Sequence, residues 1–300
     1  MKQIAIIGGG VAGLTAAVYA LRANCQVTLF EQYGLGGLTA TIAQIENFPS
    51  HKSIEGWQLA EQMANQAKAL GLTTVRARVL SLTKNGNNFT LTTDKGEYNF
   101  PAVIVATGTA HNKLGFEAPY VGKGVSYCAT CDGNFYKNLP VAVVGGGNTA
   151  VKEALYLCDI CSKVYVIVPQ AEFKAEERAV SELLQKQNVE VLYSSQVSAI
   201  TCEESVSSVD VFDGKTTRKL DVNGVFVAIG ALPVTDFINI DNVDKQNGYL
   251  AVDGKCQTSI DGLFAAGDVT AGALKQIVTA CADGAKAGSF AAAYAAKFAK

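Results

Sequence analysis

Histidine is almost missing from this sequence: only His51 and His111 occur in 300 residues, both in polar, loop-like stretches. That excludes a histidine-based nucleophilic triad or a histidine metal cluster, and leaves exposed loop residues as the expectation for both. Long apolar runs are missing too; none approaches the roughly 18 residues that a membrane span needs. The chain enters a strand-like run, Lys2 to Ile7, within two residues of its start, so no leader segment is read and a cytoplasmic protein is expected. Excess positive charge is also lacking. With 25 Lys and Arg against 27 Asp and Glu, net charge −2, there is no broad positive field for a polyphosphate, and neither nucleic acid nor a membrane is expected as partner.

The composition that remains, 49% apolar and 17% charged, is that of a globular chain long enough for two domains. Eight cysteines without a secretion signal do not suggest a structural disulfide framework, so their spacing has to decide which of them matter. Two segments resemble each other, IAIIGGGVAGLTAAVYALRANCQVTLFEQ from Ile4 and VAVVGGGNTAVKEALYLCDICSKVYVIVPQ from Val141. Each reads as strand, glycine turn, helix, strand, with β-branched runs suited to buried parallel strands. The reading is an α/β protein with two Rossmann-like, dinucleotide-binding domains, the second inserted into the first. Residues 1–112 and 243–300 would form the first domain and residues 113–242 the second, and GLFAAGDV from Gly262 marks the return of the chain to the first sheet.

Gly8, Gly10 and Gly13 form GxGxxG between a strand and a helix, where glycine permits the tight turn and brings backbone N–H groups to a pyrophosphate at the helix N-terminus. Glu31, at the end of the next strand, suits the ribose hydroxyls. These residues allow FAD or NAD. Gly267-Asp268 shifts the choice to FAD, since an acid after a late strand can bond a ribityl chain, although Asp268 alone could equally cap a helix.

YCATCDGNFY places Cys128 and Cys131 two residues apart with Asp132 next to them. That spacing lets two thiols close a small disulfide ring, and the carboxyl can shuttle the proton that thiol and thiolate exchange. Half of a zinc site is the structural alternative. Cys158 and Cys161 could complete it, but they end an Ala/Leu-rich helix and read better as small buried residues; no metal site is expected. Cys25, Cys202, Cys256 and Cys281 are isolated.

The segments GVSYCATCDGNFYKN and VAVVGGGNTAVKEALYL, with ENFP at Glu46, VIVATGT at Val103 and GLFAAGDV in the same order, resemble the low-molecular-weight thioredoxin reductases over nearly the whole chain. The resemblance implies an FAD-dependent disulfide reductase, with FAD in the first domain touched by Gly8, Gly10, Gly13, Glu31, Gly36, Gly37, Asn47, Val79 and Asp268. Lys275, Gln276 and Ile277 match the place where the last helix meets the isoalloxazine ring, and Leu38 stands where the family usually has Gln. The same resemblance implies Cys131 beside the flavin, Cys128 attacking thioredoxin, a homodimer and a domain rotation.

One departure matters for the electron donor. Members using NADPH carry His-Arg-Arg after the second strand of the inserted domain; here that run is Val168-Pro169-Gln170, followed by Ala171, Glu172, Phe173 and Lys174. A phosphate dianion there lacks its guanidinium partners, and the position corresponding to Glu31 is Val168 rather than an acid. Gly145, Gly147 and Ala150 nevertheless keep GxGxxA. The loss resembles that of flavin-dependent reductases fed by ferredoxin, which becomes the favoured donor; an NAD(P)H enzyme with an atypical loop and a flavin redox sensor are the alternatives.

Overall fold

The computed structural model describes residues 2–42 and 44–298. Among them are six α-helices: α1 (Val11–Arg22), α2 (Gly56–Ala69), α3 (Ala129–Asp132), α4 (Asn148–Cys158), α5 (Glu177–Leu184) and α6 (Ile277–Ala295). The chain divides into two units, Met1–Ala110 with Leu232–Lys300, and His111–Ala231.

In the first unit five parallel strands lie in the order Leu263–Ala265, Ala102–Val105, Gln3–Ile7, Gln26–Glu31, Thr73–Arg76. The central strand has no polar face because both of its sides are covered. Ile4 and Ile6 are fully buried with α1 and α6 on one side, and Ala5 and Ile7 pack on the other side against the antiparallel sheet Val79–Asn85, Asn88–Thr93, Gly96–Phe100. Phe30, Phe89 and Phe264 are among the largest fully buried side chains there. Each contributes roughly 1.5–3 kcal/mol by leaving water. The polar ends of these strands and the start of α1 are thereby fixed on a rigid base.

The second unit repeats the plan. Val125–Ser126, Gly224–Val227, Pro140–Val144, Lys163–Ile167 and Val189–Leu192 form five parallel strands in that order. Helices α4 and α5 cover one face, and the antiparallel strands Gln196–Cys202, Val206–Phe212 and Thr217–Asp221 cover the other. The repeat read from sequence is therefore a repeat of structure, each glycine turn following the central strand of its sheet. The return to the first unit falls at Leu232, earlier than the expected residue 243. The reason is local pairing: Leu82 N–H donates to Phe237 O (2.7 Å), Asn239 N–H donates to Leu82 O (2.9 Å), and Ile238 is buried in the first unit's core. No helix among the described residues is long and apolar enough to cross a membrane.

Candidate active site

At the first glycine turn the backbone is crowded from within and open in front. A Cβ on Gly13 would lie 2.0 Å from the Gly8 carbonyl oxygen, and one on Gly8 would lie 2.4 Å from the Ala106 carbonyl oxygen, whereas Gly10 has nothing within 4 Å. The open side is the N-terminal end of α1, where unpaired N–H groups and the helix dipole favour phosphate. Glu31 is held beside it: its Oε2 accepts from Gly9 N–H (2.8 Å) and its Oε1 from Tyr33 N–H (2.9 Å). The next segment closes in through Gly36 N–H donating to Gly9 O (2.8 Å), and a Cβ on Gly37 would come within 3.0 Å of Gly10 Cα. Gly8, Gly10, Gly13, Glu31, Gly36 and Gly37 are thus gathered at one place; Leu38, just beyond, is half exposed.

A second group of the expected residues meets at the start of α6. Gln276 is its N-cap, in a reciprocal capping box with Thr279, and Asn47 Nδ2 donates to Gln276 Oε1 at 3.1 Å. Lys275 takes a left-handed conformation (φ 59°), with Nζ donating to Tyr249 OH at 2.9 Å; Ile277 opens the helix. Asp268 joins the two groups, because Gly267 before it packs between Ala12 of α1 and Ala280 of α6. Its carboxyl forms no hydrogen bond among the described residues. Burial raises it above the usual carboxylate range, with Lys275 opposing. A half-buried acceptor without a donor among the described residues, beside an open phosphate cradle and a ribose-type acid, suits the polyol chain of a flavin dinucleotide, so the residues fit the cofactor. Val79 begins a strand of the antiparallel sheet and packs towards the core behind it.

In the second unit, the CxxC spacing falls on one helical turn. Cys128 caps α3 in an extended conformation, the Cα atoms of Cys128 and Cys131 are 5.3 Å apart, and their sulfurs are bonded. Both residues are half-buried. Cys128 N–H donates to Ser126 Oγ at 3.1 Å. Asp132 Oδ1 is buried with no hydrogen-bond partner among the described residues, and burial raises the Asp132 carboxyl, the Ser126 hydroxyl opposing. A carboxyl with a raised pKa next to a disulfide can hold the proton that a leaving thiolate needs.

Cys158 and Cys161 lie at the end of α4, where burial pushes both thiols up to about 11. Asn188 Nδ2 donates to both their carbonyls, and they are core residues. The two histidines are half-buried rather than exposed. His51 stacks on Phe48 and His111 on Tyr127, flat faces supplying the contact.

The second glycine turn reproduces the first in backbone and differs in side chains. Lys174 N–H donates to Gly146 O (2.7 Å), as Gly36 does to Gly9, and Gly147 is bridged to Lys174 as Gly10 is to Gly36. Where a Cβ on Gly9 would meet Glu31 Cγ at 3.1 Å, one on Gly146 would meet Val168 Cγ1 at 2.7 Å and Gln170 Oε1 at 2.9 Å. Val168 is fully buried and occupies the place of the acid. Sequence reasoning passed over three residues of these sites. Gly9, whose N–H anchors Glu31, has only its neighbours as a signal; Tyr249, under Lys275, has none; Glu153, beneath α3, lies in an ordinary helical pattern.

Comparison with known proteins agrees with this geometry. The pyridine nucleotide-disulphide oxidoreductase family matches residues 2–284. The chain is 38% identical over 297 residues to the thioredoxin reductase of Treponema pallidum, covering 97% of this chain and 96% of that protein. It is 38% identical over 298 residues to the thioredoxin reductase of Escherichia coli O157:H7, covering 94% and 92%. The crystal structure of thioredoxin reductase from Streptococcus pyogenes superposes with a TM-score of 0.93 at 34% identity, over 99% of both chains. The chain therefore belongs to the pyridine nucleotide-disulphide oxidoreductases and, among them, to the low-molecular-weight thioredoxin reductases, which are FAD flavoprotein oxidoreductases.

Proposed function

We propose that this chain reduces thioredoxin or a thioredoxin-like protein through Cys128 and Cys131, and that it draws electrons from a low-potential protein such as ferredoxin rather than from NADPH. The observation that carries the donor reading is Val168, buried at the second glycine turn where Glu31 stands at the first. Around it Pro169 and Gln170 offer no guanidinium, and Lys174 is the single cation of the run from Val168 to Lys174. Losing two or three charge-assisted hydrogen bonds of roughly 1.5–3 kcal/mol each weakens a phosphorylated nucleotide by several orders of magnitude.

FAD, when bound, supplies a carrier that can take up electrons singly and pass them on in pairs. Gly8, Gly10, Gly13, Gly36 and Gly37 would hold its pyrophosphate region, Glu31 a ribose, Asp268 the polyol, and Asn47, Lys275, Gln276 and Ile277 the end nearest α6. Leu38 and Val79 are carried into this set by family resemblance. Cys131 is the sulfur that receives electrons, Asp132 holds and returns the proton, and the Cys128 thiolate attacks the partner's disulfide. Family resemblance also supports a homodimer acting in the cytoplasm. A second reading, an NAD(P)H enzyme with an atypical loop, is favoured by the intact backbone of the Gly145–Gly147 turn.

Steady-state thioredoxin reduction separates these readings. Sustained turnover is expected with a ferredoxin system and only slow turnover with NADPH or NADH; equal turnover at micromolar NADPH overturns the donor reading. In a Cys128→Ser variant thioredoxin reduction is expected to vanish while Cys131 remains as a free thiol. Retained turnover would contradict the reading of the pair as the redox centre, and a long-wavelength flavin absorbance band in Cys131→Ser instead of Cys128→Ser would reverse the assignment of the two sulfurs.

A further inference from the structure

Opening the Cys128–Cys131 disulfide breaks one S–S bond and places two electrons, one on each sulfur. Two protons are needed if the charge is to be fully offset. Asp132 is one proton-holding group at hand, and a second buried carboxyl lies under the same turn. Glu153, on α4, accepts from the N–H of Ala129, the residue between Cys128 and Thr130 that opens α3, at 3.5 Å through Oε1; its Oε2 is buried with no partner among the described residues.

That arrangement is unlike a carboxylate kept for structure. Glu117 in the same unit shows what the structural kind looks like: its oxygens accept from Leu114 N–H (2.8 Å), Gly115 N–H (2.9 Å) and Tyr127 OH (2.8 Å). Burial alone would raise Glu117, but those bonds together hold it below its usual range. Glu153 has one long bond and one bare oxygen, so its ionised form is poorly supported. Burial pushes it up to about 7, with the Ala129 N–H pulling the other way. Other charged groups on the elements packed against α4 are turned elsewhere: Lys152, Glu177, Arg178 and Glu182 are exposed, and Lys163 is paired with Glu190. On α3, which packs against α4, the remaining groups are Asp132 and the cysteine pair that brackets Ala129.

We propose that Glu153 is a positioning residue of the disulfide centre, taking up a proton from water when the sulfurs gain electrons and returning it when they are reoxidised, through the field at α3 and the Ala129 N–H rather than by touching sulfur. The balance is simple. Two electrons from the reduced flavin open the S–S bond, the Asp132 proton goes to one sulfur, and the Glu153 proton offsets the charge left on the other. The inference rests on the reading of Cys128–Cys131 as the redox centre, and its test needs neither thioredoxin nor an electron donor.

Holoenzyme reduced with a phosphine is alkylated with iodoacetamide, and the rate at Cys128 is followed by mass spectrometry from about pH 5 to 9, the range that brackets a displaced carboxyl and a thiol. Wild type is expected to show an inflection near pH 7 besides that of the thiol itself, because the ionised Glu153 disfavours a thiolate above it. Glu153→Gln should lose that inflection and give a lower thiol midpoint, and Glu153→Asp should keep an inflection at a displaced pH. A Glu153→Gln profile that overlays the wild type overturns the proposal, as does a Glu153→Asp profile identical to that of Gln. If the variants do not fold, infrared difference spectra of wild type and Asp132→Asn decide. A protonated carboxyl signal gained on reduction and retained in Asp132→Asn is expected, and its absence overturns the proposal. Failure of the thioredoxin reading would appear as missing turnover with these profiles unchanged.

Discussion

The two glycine turns of this chain are built on the same backbone and end in different chemistry. At the first, Gly9 N–H meets the Glu31 carboxylate; at the second, Gly146 faces the buried side chain of Val168, with Gln170 alongside. Each turn is joined by a following segment through one backbone bond, from Gly36 to Gly9 and from Lys174 to Gly146. A phosphate cradle is made of N–H groups and survives any side-chain change that leaves the turn intact. Recognition of a ribose or its phosphate is made of one or two side chains and vanishes with them. Keeping the fold therefore says little about keeping the ligand.

The largest effect should come from filling the first turn. Gly13→Val puts atoms where a Cβ already lies 2.0 Å from the Gly8 carbonyl oxygen, so the cradle must deform. The purified variant should carry no FAD. Its counterpart Ala150 already has a side chain, fully buried, and Ala150→Gly should stay yellow. Flavin absorbance per chain checks both, and a yellow Gly13→Val would remove the basis of the comparison.

Restoring side chains to the second turn comes next. Replacing Pro169 and Gln170 together by Arg should raise the rate of flavin reduction by NADPH at least about a hundredfold, two charge-assisted bonds at roughly 1.5–3 kcal/mol each being regained. No gain would mean that the second cradle has lost phosphate binding as well. Removing the acid from the first turn should be milder: Glu31→Gln should weaken FAD by about ten- to a hundredfold in equilibrium titration of the apoprotein. Val168→Ala should leave FAD affinity unchanged, and parallel losses in the two variants would contradict the assignment of separate roles.

The smallest effect concerns the second unit's frame alone. Glu117→Ala strands two backbone N–H groups and the Tyr127 hydroxyl and should cost about 2 kcal/mol in denaturant unfolding, with FAD content unchanged. Because the Glu117 carboxyl is held below its usual range when folded, its contribution is present above the unfolded pKa and lost as pH falls through the folded one. The difference between wild type and variant should accordingly shrink below about pH 4. A difference that grows in acid would contradict the bonding described.

Much of this was legible in the sequence because it depends on residue type at fixed spacing. GxGxxG, the acid at Glu31 and CATCD each carry their chemistry in a short stretch, and the β-branched runs marked strands covered on both faces. The return of the chain at Leu232 was not legible, because it rests on pairing between Leu82 and Phe237, far apart in sequence. The exposure expected for His51 and His111 failed for a similar reason: stacking on Phe48 and Tyr127 is a tertiary contact that polar flanks do not announce. Glu153 reads as one more helical glutamate until the fold sets it under α3 and leaves one oxygen bare. Gln276 and Asn47 were named through resemblance, and the bond between them appears only in three dimensions.

The most direct test of the account is anaerobic rapid mixing of the FAD-loaded protein with NADPH, NADH or reduced ferredoxin while the flavin absorbance is followed. With Val168 at the second turn, slow and unsaturated bleaching is predicted at micromolar NADPH or NADH, and fast bleaching with reduced ferredoxin. Rapid, saturable bleaching by micromolar NADPH or NADH would contradict it.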